Sequence, residues 1–142
     1  MARLTFTKEE RLCHKNDIGF LFKEGHLLFV SGYTIRWIIP SKKEDSPVKI
    51  LISVPKRFFK KAVERNRIKR LLREIFRQHK EEFYSLLNAR GIQIHMALIY
   101  GKRKMPIYQQ EEERIVTILQ QLKQDIAAKQ RIEQRDLHKN NS

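Results

Sequence analysis

The chain has 142 residues, 41% of them hydrophobic, which is enough for the core of one ordinary domain, and we expect no second one. Thirty Lys and Arg against sixteen Asp and Glu give a formal net charge of +14. Such an excess repels itself within a compact fold, so it favours a polyanionic partner over a purely solubilising role.

Cysteine and histidine usage excludes several kinds of site. The single Cys13 can form no internal disulfide, and a thiolate zinc site would need further cysteines. The five histidines are scattered without metal-ligand spacing, so we expect no metal bound by the protein. The N-terminal residues lack the apolar run of a signal peptide, and no segment is apolar for the length of a membrane span, so we expect a cytoplasmic protein.

The first predicted helix follows a polar N-terminal segment. That segment, residues 1–13, is extended in character and has two apolar anchors, Leu4 and Phe6. The helix should be capped by Asn16 or Asp17 and should end at Gly25. Its apolar positions recur at i, i+3 and i+4, at Ile18, Leu21 and Phe22.

Two strands are predicted next. Residues 33–39 alternate between apolar and polar side chains until Pro40, and residues 48–54 alternate in the same way until Pro55. The polar segment between them has the composition of a turn. The two strands are therefore predicted to form an antiparallel hairpin.

A basic helix, a buried strand and a second long helix complete the chain. The basic helix has an apolar stripe at helical spacing, made of Ile68, Leu71, Leu72, Ile75, Phe76 and His79. Residues 91–100 read as a buried strand, and the last helix keeps the same period at Ile115, Ile118, Leu119, Leu122 and Ile126. The order is α-β-β-α-β-α, an α+β layer of helices on a small sheet. We expect one domain over residues 1–128 and a polar, frayed tail over 129–142.

The face of the basic helix opposite the apolar stripe carries a row of polar side chains at helical spacing: Asn66, Arg70, Arg73 and Arg77. A solvated face usually mixes charges of both signs, but here only Glu74 can pair with the arginines. Phosphate groups would neutralise the row. A membrane-surface helix would need its apolar face free for lipid, and the sheet needs that face as cover.

RNA is favoured over DNA as the partner, because no helix-turn-helix, zinc finger or dimer zipper is visible. Arginine predominates over lysine along the helix, which suits bidentate phosphate contacts and stacking on unpaired bases. Asn66 could read a base edge, or it could bond the backbone near the start of the helix. No converging acids or glycine-rich phosphate loop point to an active site in the protein itself.

The segment "AVERNRIKRLLRE", residues 62–74, resembles the signature of the protein subunit of bacterial ribonuclease P. The strand "KILISVPKR" before it and the earlier "DIGFLFKEG" are similar to that family in order and spacing. The resemblance implies an α/β sandwich, with a central sheet of about four strands and an unusual left-handed β-α-β crossover through the basic helix. It also implies an endonuclease that removes the 5′ leader from precursor tRNA, in which an RNA subunit carries the catalysis with Mg²⁺.

The resemblance also implies roles for single residues. One set would contact the catalytic RNA: Lys56, Arg57, Lys61, Arg65, Asn66, Arg67, Lys69, Arg70, Arg73 and Arg77. A cleft between the first helix and the sheet would hold the leader and would be lined by Ile18, Phe22 and Arg36. The family has aromatic residues where Ile18 and Arg36 stand here, and Phe22 could equally belong to the core. The alternative to a ribonuclease P subunit is a structural RNA-binding protein, such as a ribosomal protein or an RNA chaperone.

Overall fold

The computed structural model describes residues 6–140, and the side chains of residues 6–131. A 3₁₀ turn at Lys8–Glu10 precedes seven elements: α1 (Lys15–Glu24), β1 (His26–Val30), β2 (Tyr33–Ile38), β3 (Val48–Ser53), α2 (Ala62–Arg90), β4 (Ile94–Tyr100) and α3 (Tyr108–Asn140). The predicted α+β architecture is confirmed, and the four-stranded sheet that the resemblance implied is present. Leu4 lies outside the described residues.

The strand order is β1-β2-β4-β3, and the predicted hairpin of β2 with β3 is wrong. Strand β4 lies between them, antiparallel to β2 and parallel to β3. The burial pattern explains this arrangement: β4 is buried at six of its seven positions, whereas β2 and β3 alternate. A strand that is apolar on both faces belongs in the middle of a covered sheet. Alternation alone does not identify a strand's neighbour.

Strand β1 was missed by the sequence analysis. It pairs with β2 through a two-residue turn in which Ser31 has φ 50° and Gly32 has φ 84°, the type I′ geometry that matches strand twist. The segment "HLLFV" does not alternate, because Leu27 and Phe29 are apolar although their side chains are exposed. A period-2 search therefore does not recognise it.

Helix α1 begins earlier than predicted, at Lys15, with His14 at the N-cap and no side-chain cap. Asp17 lies in the first turn and pairs with Lys42 at 3.4 Å instead of capping the helix. Gly25 ends α1 as predicted: a Cβ there would lie 2.4 Å from the carbonyl oxygen of Leu21. Only glycine allows this close approach of the backbone.

The core lies between the sheet and the two long helices. Helix α2 buries a continuous stripe that includes Ile68, Leu72, Ile75, Phe76, Phe83 and Leu87, and α3 buries all five predicted positions. Leu71 and His79 of the predicted stripe lie at its margins and are only partly buried. Helix α2 ends at Gly91, whose φ of 66° is left-handed.

Helix α2 connects the parallel strands β3 and β4. The left-handed sense of this crossover stays a prediction from the resemblance. Helix α3 is helical through Asn140, and both the domain limits and the fraying of residues 129–142 also stay predictions. Within the described residues, no helix has both the length and the apolar character that crossing a bilayer would require.

Candidate nucleic-acid interface

The loop before α2 is held to the helix by Arg65. Its guanidinium donates hydrogen bonds to the carbonyl oxygens of Phe59 and Lys60, both at 2.8 Å. Phe59 is also buried in the core. The loop is therefore held by the packing of Phe59 and by the two hydrogen bonds from Arg65. Arg65 therefore supports the loop that carries Lys56 and Arg57, in addition to any contact with a ligand.

The first turns of α2 present an exposed polar face. Asn66, Arg67 and Arg70 are exposed, and among the described side chains none of them has a hydrogen bond or an ion pair. The backbone-bonding role considered for Asn66 is thus not seen here, and its amide remains available to a ligand. Exposed cations without a carboxylate partner among the described side chains are suited to binding phosphate groups.

Arg73 lies at the edge of this face and is partly buried. Its guanidinium carbon is 5.7 Å from the centre of the Phe6 ring, and that of Arg11 is 5.9 Å from the same ring. Burial, together with the positive charges of Arg11 and Arg70, lowers the pKa of Arg73 below its ordinary value. The site thus includes Arg11, which the sequence analysis did not single out. Its position depends on the N-terminal segment running alongside β3, where Arg11 forms a parallel bridge with Ile50, and helical periodicity carries no signal for that.

Arg77 differs from the rest of the predicted row. It forms a two-point pair with Glu74, with hydrogen bonds at 3.0 and 2.6 Å. The hydrogen bonds from Arg77 lower the pKa of Glu74, and the same contacts raise the pKa of Arg77. Glu74 therefore compensates most of the charge of Arg77 within the protein. This agrees with the sequence analysis, in which Glu74 was the acid able to pair with an arginine of the row.

A second group of cations surrounds the start of α2. Lys56, Arg57 and Lys61 are exposed, as expected for a ligand surface. The guanidinium carbon of Arg57 lies 4.8 Å from the centre of the Phe58 ring, and that of Arg103 lies 5.2 Å from it. Arg103, from the loop after β4, is a further candidate that the sequence analysis missed, because the contact joins segments far apart in the chain.

The three predicted cleft residues meet on the face of the sheet covered by α1. Arg36 of β2 places its guanidinium carbon 5.7 Å from the centre of the Phe22 ring. Phe22 is 38% exposed, whereas Leu21 beside it is fully buried, so Leu21 and not Phe22 anchors α1 in the core. Ile18 is partly buried and packs against the small apolar cluster around Leu21.

Two apolar side chains of β1 extend this surface, and sequence analysis did not identify them. Leu27 pairs in register with Arg36, and Phe29 pairs with Thr34, so both point to the same side of the sheet as Arg36. Phe29 is 71% exposed and Leu27 is 46% exposed. Exposed aromatic and apolar side chains next to a guanidinium are suited to stacking with unpaired bases.

One group of side chains has ligand atoms close enough to share a metal ion: those of Asp17, Glu44 and His95 lie within 4.8 Å of one another. Sequence spacing did not reveal this group, because its members come from three separate elements. Both carboxylates already face lysines, Asp17 facing Lys42 at 3.4 Å and Glu44 facing Lys49 at 3.5 Å. A cation there would compete with two ammonium groups, so the residues fit an internal ion-pair cluster better than a metal centre.

Comparison with known proteins gives one family. The family model described as Ribonuclease P matches residues 6–123. A relative from Porphyromonas gingivalis, named "Ribonuclease P protein component", is 31% identical over 111 residues, which cover 78% of this chain and 81% of the relative.

Two solved structures have a similar fold. The RNase P protein of Staphylococcus aureus has a TM-score of 0.63 at 24% identity, covering 80% of this chain and 94% of that one. The RNase P protein of Thermotoga maritima has a TM-score of 0.59 at 24% identity, covering 79% and 96% respectively. These likenesses show that the overall fold is shared.

Proposed function

This chain belongs to the ribonuclease P protein family, and we propose that the exposed face of α2 is its contact surface for the catalytic RNA. The chain is a protein component of ribonuclease P, a ribonucleoprotein endoribonuclease, and its partner is the ribonuclease P RNA. The alternative of a ribosomal protein or RNA chaperone is set aside by the family match.

One observation carries the proposal: three cations on the outer face of α2, Arg67, Arg70 and Arg73, have no acidic partner among the described side chains. Arg67 and Arg70 are exposed and have no partner among the described side chains, and Arg73 is partly buried beside other positive charges. Such an arrangement is unfavourable in the isolated protein and becomes favourable when phosphates supply the missing negative charge. Asn66 adds a neutral donor and acceptor at the same surface.

The surface formed by Phe22 and Arg36 is the proposed site for the single-stranded 5′ leader of precursor tRNA. The ring and the guanidinium offer stacking and a positive charge without demanding a particular base. Ile18, one helical turn before Phe22, packs against the apolar cluster around Leu21. The two surfaces lie on different elements, so substrate binding and assembly with the catalytic RNA can be altered separately.

Hydrolysis itself is assigned to the RNA subunit and to Mg²⁺ held by that RNA. Several acids of the described residues are engaged with lysines, arginines or hydroxyl groups, as at Glu10, Glu44 and Glu74. We place the ribonucleoprotein in the cytoplasm, where precursor tRNA is available.

Reconstituted cleavage tests the proposal. The ribonuclease P RNA, precursor tRNA and this chain are combined at a low Mg²⁺ concentration at which the RNA alone is nearly inactive. We expect leader removal only when both subunits are present, with the same product end that the RNA gives at high Mg²⁺. Cleavage by the protein alone after nuclease treatment, or no stimulation of the RNA, would contradict the assignment.

A further inference from the structure

A small pocket lies between the first half of α1 and the segment that follows β2. Its volume is about 210 Å³, and it is lined by Asp17, Phe20, Pro40, Ser41, Lys42 and His95. Phe20 and Phe22 are two positions apart on α1, so their side chains point to different sides of the helix. The pocket is therefore separate from the proposed leader site at Phe22.

The ring of His95 in the pocket wall has one nitrogen without a partner. His95 is 3% exposed, and its Nε2 lies 2.8 Å from a carboxylate oxygen of Glu44. Its Nδ1 has no hydrogen bond among the described residues, in which every fully buried side-chain nitrogen or oxygen has a partner. Nδ1 thus keeps access to the pocket. A neutral ring that donates its Nε2 proton to Glu44 leaves Nδ1 as a hydrogen-bond acceptor.

Asp17 and Lys42 place opposite charges at the same pocket. The ligand atoms of Asp17 and His95 lie within 4.8 Å of each other. The ammonium group of Lys42 is 3.4 Å from the Asp17 carboxylate, and the Lys42 side chain is 59% exposed. An exposed pair at this distance contributes little, so the ammonium group can turn to a ligand. The pocket therefore offers two acceptors beside one cationic donor.

Phe20 adds a flat apolar surface to these polar groups. It is 53% exposed, and its ring has no aromatic or cationic partner among the described residues. Exposed aromatic rings stack on unpaired RNA bases, and polar side chains beside them then read the Watson–Crick edge of the base. The volume is below the ~300–1,000 Å³ usual for small-molecule sites, so a single base fits better than a whole nucleotide cofactor.

We propose that this pocket binds one unpaired guanine base of RNA, stacked on Phe20. Its N1–H and 2-amino groups donate to Asp17 and to Nδ1 of His95, and its O6 accepts from Lys42. Guanine is the standard RNA base whose Watson–Crick edge places two donor groups beside an acceptor, whereas the other three offer one donor group each. The proposal rests on the proposed function and adds a base-specific contact to it. The guanine belongs to the ribonuclease P RNA or to the body of the tRNA.

Short single-stranded oligonucleotides test the choice of base. Each contains uridines and one central guanosine, inosine or adenosine, and equilibrium affinity for the whole chain is measured at moderate salt. Inosine lacks the 2-amino group, which leaves an acceptor in the pocket unpaired. The guanosine oligonucleotide should therefore bind about tenfold or more tightly than the other two. Equal affinities for the three would overturn the proposal.

Replacing Asp17 separates the pocket from general charge effects. In a protein of net charge +14, loss of an acid should by itself strengthen binding to RNA. Asp17→Asn should instead weaken binding of the guanosine oligonucleotide about tenfold and abolish the preference over inosine. Asp45→Asn removes an equal charge from an exposed position outside the pocket and should not weaken binding. Equal effects of the two variants would contradict the proposal.

Phe20→Ala provides a second variant that does not depend on the ion pair. Because the ring is exposed, the protein should fold normally, and the guanosine oligonucleotide should bind about fivefold or more weakly once stacking is lost. An unaltered guanine preference in this variant would exclude Phe20 and the pocket.

Full-length RNAs identify the source of the guanine. Weaker binding of Asp17→Asn to ribonuclease P RNA assigns the base to that RNA. Equal weakening for precursor and mature tRNA on the assembled holoenzyme assigns it to the tRNA body. Unchanged affinity for all three RNAs would overturn the proposal, although leader removal at low Mg²⁺ would leave the proposed function standing. A guanine preference without stimulation of cleavage would keep the pocket and contradict the proposed function instead.

Discussion

At the scale of single residues, arginines on one helix have different tasks. Arg65 supports the preceding loop through two backbone carbonyls, and Arg77 is paired with Glu74. Arg67 and Arg70 remain exposed without a partner among the described side chains. The sequence alone does not distinguish these arginines, because residue types do not show which backbone carbonyl groups of a loop lie near a given side chain.

Arg70 should contribute to RNA binding without contributing to folding. Arg70→Ala removes an exposed guanidinium and introduces a good helix former, so the free energy of unfolding should change by less than about 0.5 kcal/mol. Affinity for ribonuclease P RNA should fall by about 1.5–3 kcal/mol, the range for a hydrogen bond to a charged group. Urea unfolding and a filter-binding titration measure the two effects.

Arg90→Ala is the matched control for this prediction. Arg90 is also exposed on α2 but lies about 30 Å further along the helix axis, where it bonds Gln130. Its replacement should leave RNA affinity within about 0.5 kcal/mol of the original. Comparable losses for Arg70→Ala and Arg90→Ala would show that only net charge matters and that α2 has no defined RNA face.

Phe22 should act on the leader rather than on stability. The ring is 38% exposed, so Phe22→Ala should cost less free energy of unfolding than the ~3–5 kcal/mol of a fully buried phenylalanine. If the ring stacks on an unpaired base, binding of precursor tRNA to the holoenzyme weakens by about 1–3 kcal/mol. Binding of mature tRNA, which lacks the leader, should be unchanged.

Phe20→Ala serves as the comparison, since Phe20 is 53% exposed on the same helix and makes no contact with Arg36 among the ring contacts of the described residues. It should leave the preference for precursor over mature tRNA intact. An unaltered preference in a stable Phe22→Ala protein would remove Phe22 from the leader site.

At the scale of elements, the N-terminal segment is joined to α2 by a buried ion pair. Glu10 accepts hydrogen bonds from Lys80, from the hydroxyl of Tyr84 and from the amide of Thr7. Burial by itself would raise the pKa of Glu10, but these hydrogen bonds outweigh it and hold the pKa below its ordinary value. A carboxylate with a lowered pKa stabilises the fold only while it is ionised.

The pH dependence of unfolding should reveal this pair. Because the folded-state pKa of Glu10 is lowered, its contribution is complete above the unfolded-state pKa, ~4.3 for glutamate, and is lost as the pH falls towards the folded-state value. Glu10→Gln should lower the free energy of unfolding at neutral pH by about 3–5 kcal/mol, since it removes the carboxylate facing a buried ammonium. Urea titrations across acidic and neutral pH should show a smaller acid-dependent loss in the variant; equal losses would exclude Glu10 as the cause.

The elements themselves were largely predictable, and their neighbours were not. The stripes of α2 and α3 and the alternation of β2 and β3 follow from local spacing, so the sequence predicted them. The pairing of β2 with β4 depends on contacts about 60 residues apart, and β1 lacks alternation because its exposed side chains are apolar. The same limit applied to the candidate site. The helical period of α2 identified its basic face, whereas Arg11, Arg103 and Phe29 come close to the predicted site residues only in the tertiary structure.

At the scale of the whole molecule, the apolar core and the cations of the candidate interface lie in different parts of the protein. The buried apolar side chains lie between the sheet and the helices α2 and α3, so the first turns of α2 can carry cations on their outer face without affecting packing. The net charge of +14 favours binding to a polyanion. Family membership then identifies the polyanion as the ribonuclease P RNA.

The salt dependence of binding to ribonuclease P RNA tests the central claim most directly, because each phosphate that a cation neutralises releases counterions. Equilibrium affinity is measured for the wild-type protein between low and moderate monovalent salt at fixed Mg²⁺. With Arg67, Lys69, Arg70 and Arg73 on phosphates, log K against log salt should have a slope of roughly −3 or steeper, at about 0.7–0.9 per phosphate. An affinity that barely changes across this range would contradict an interface built from the cationic face of α2.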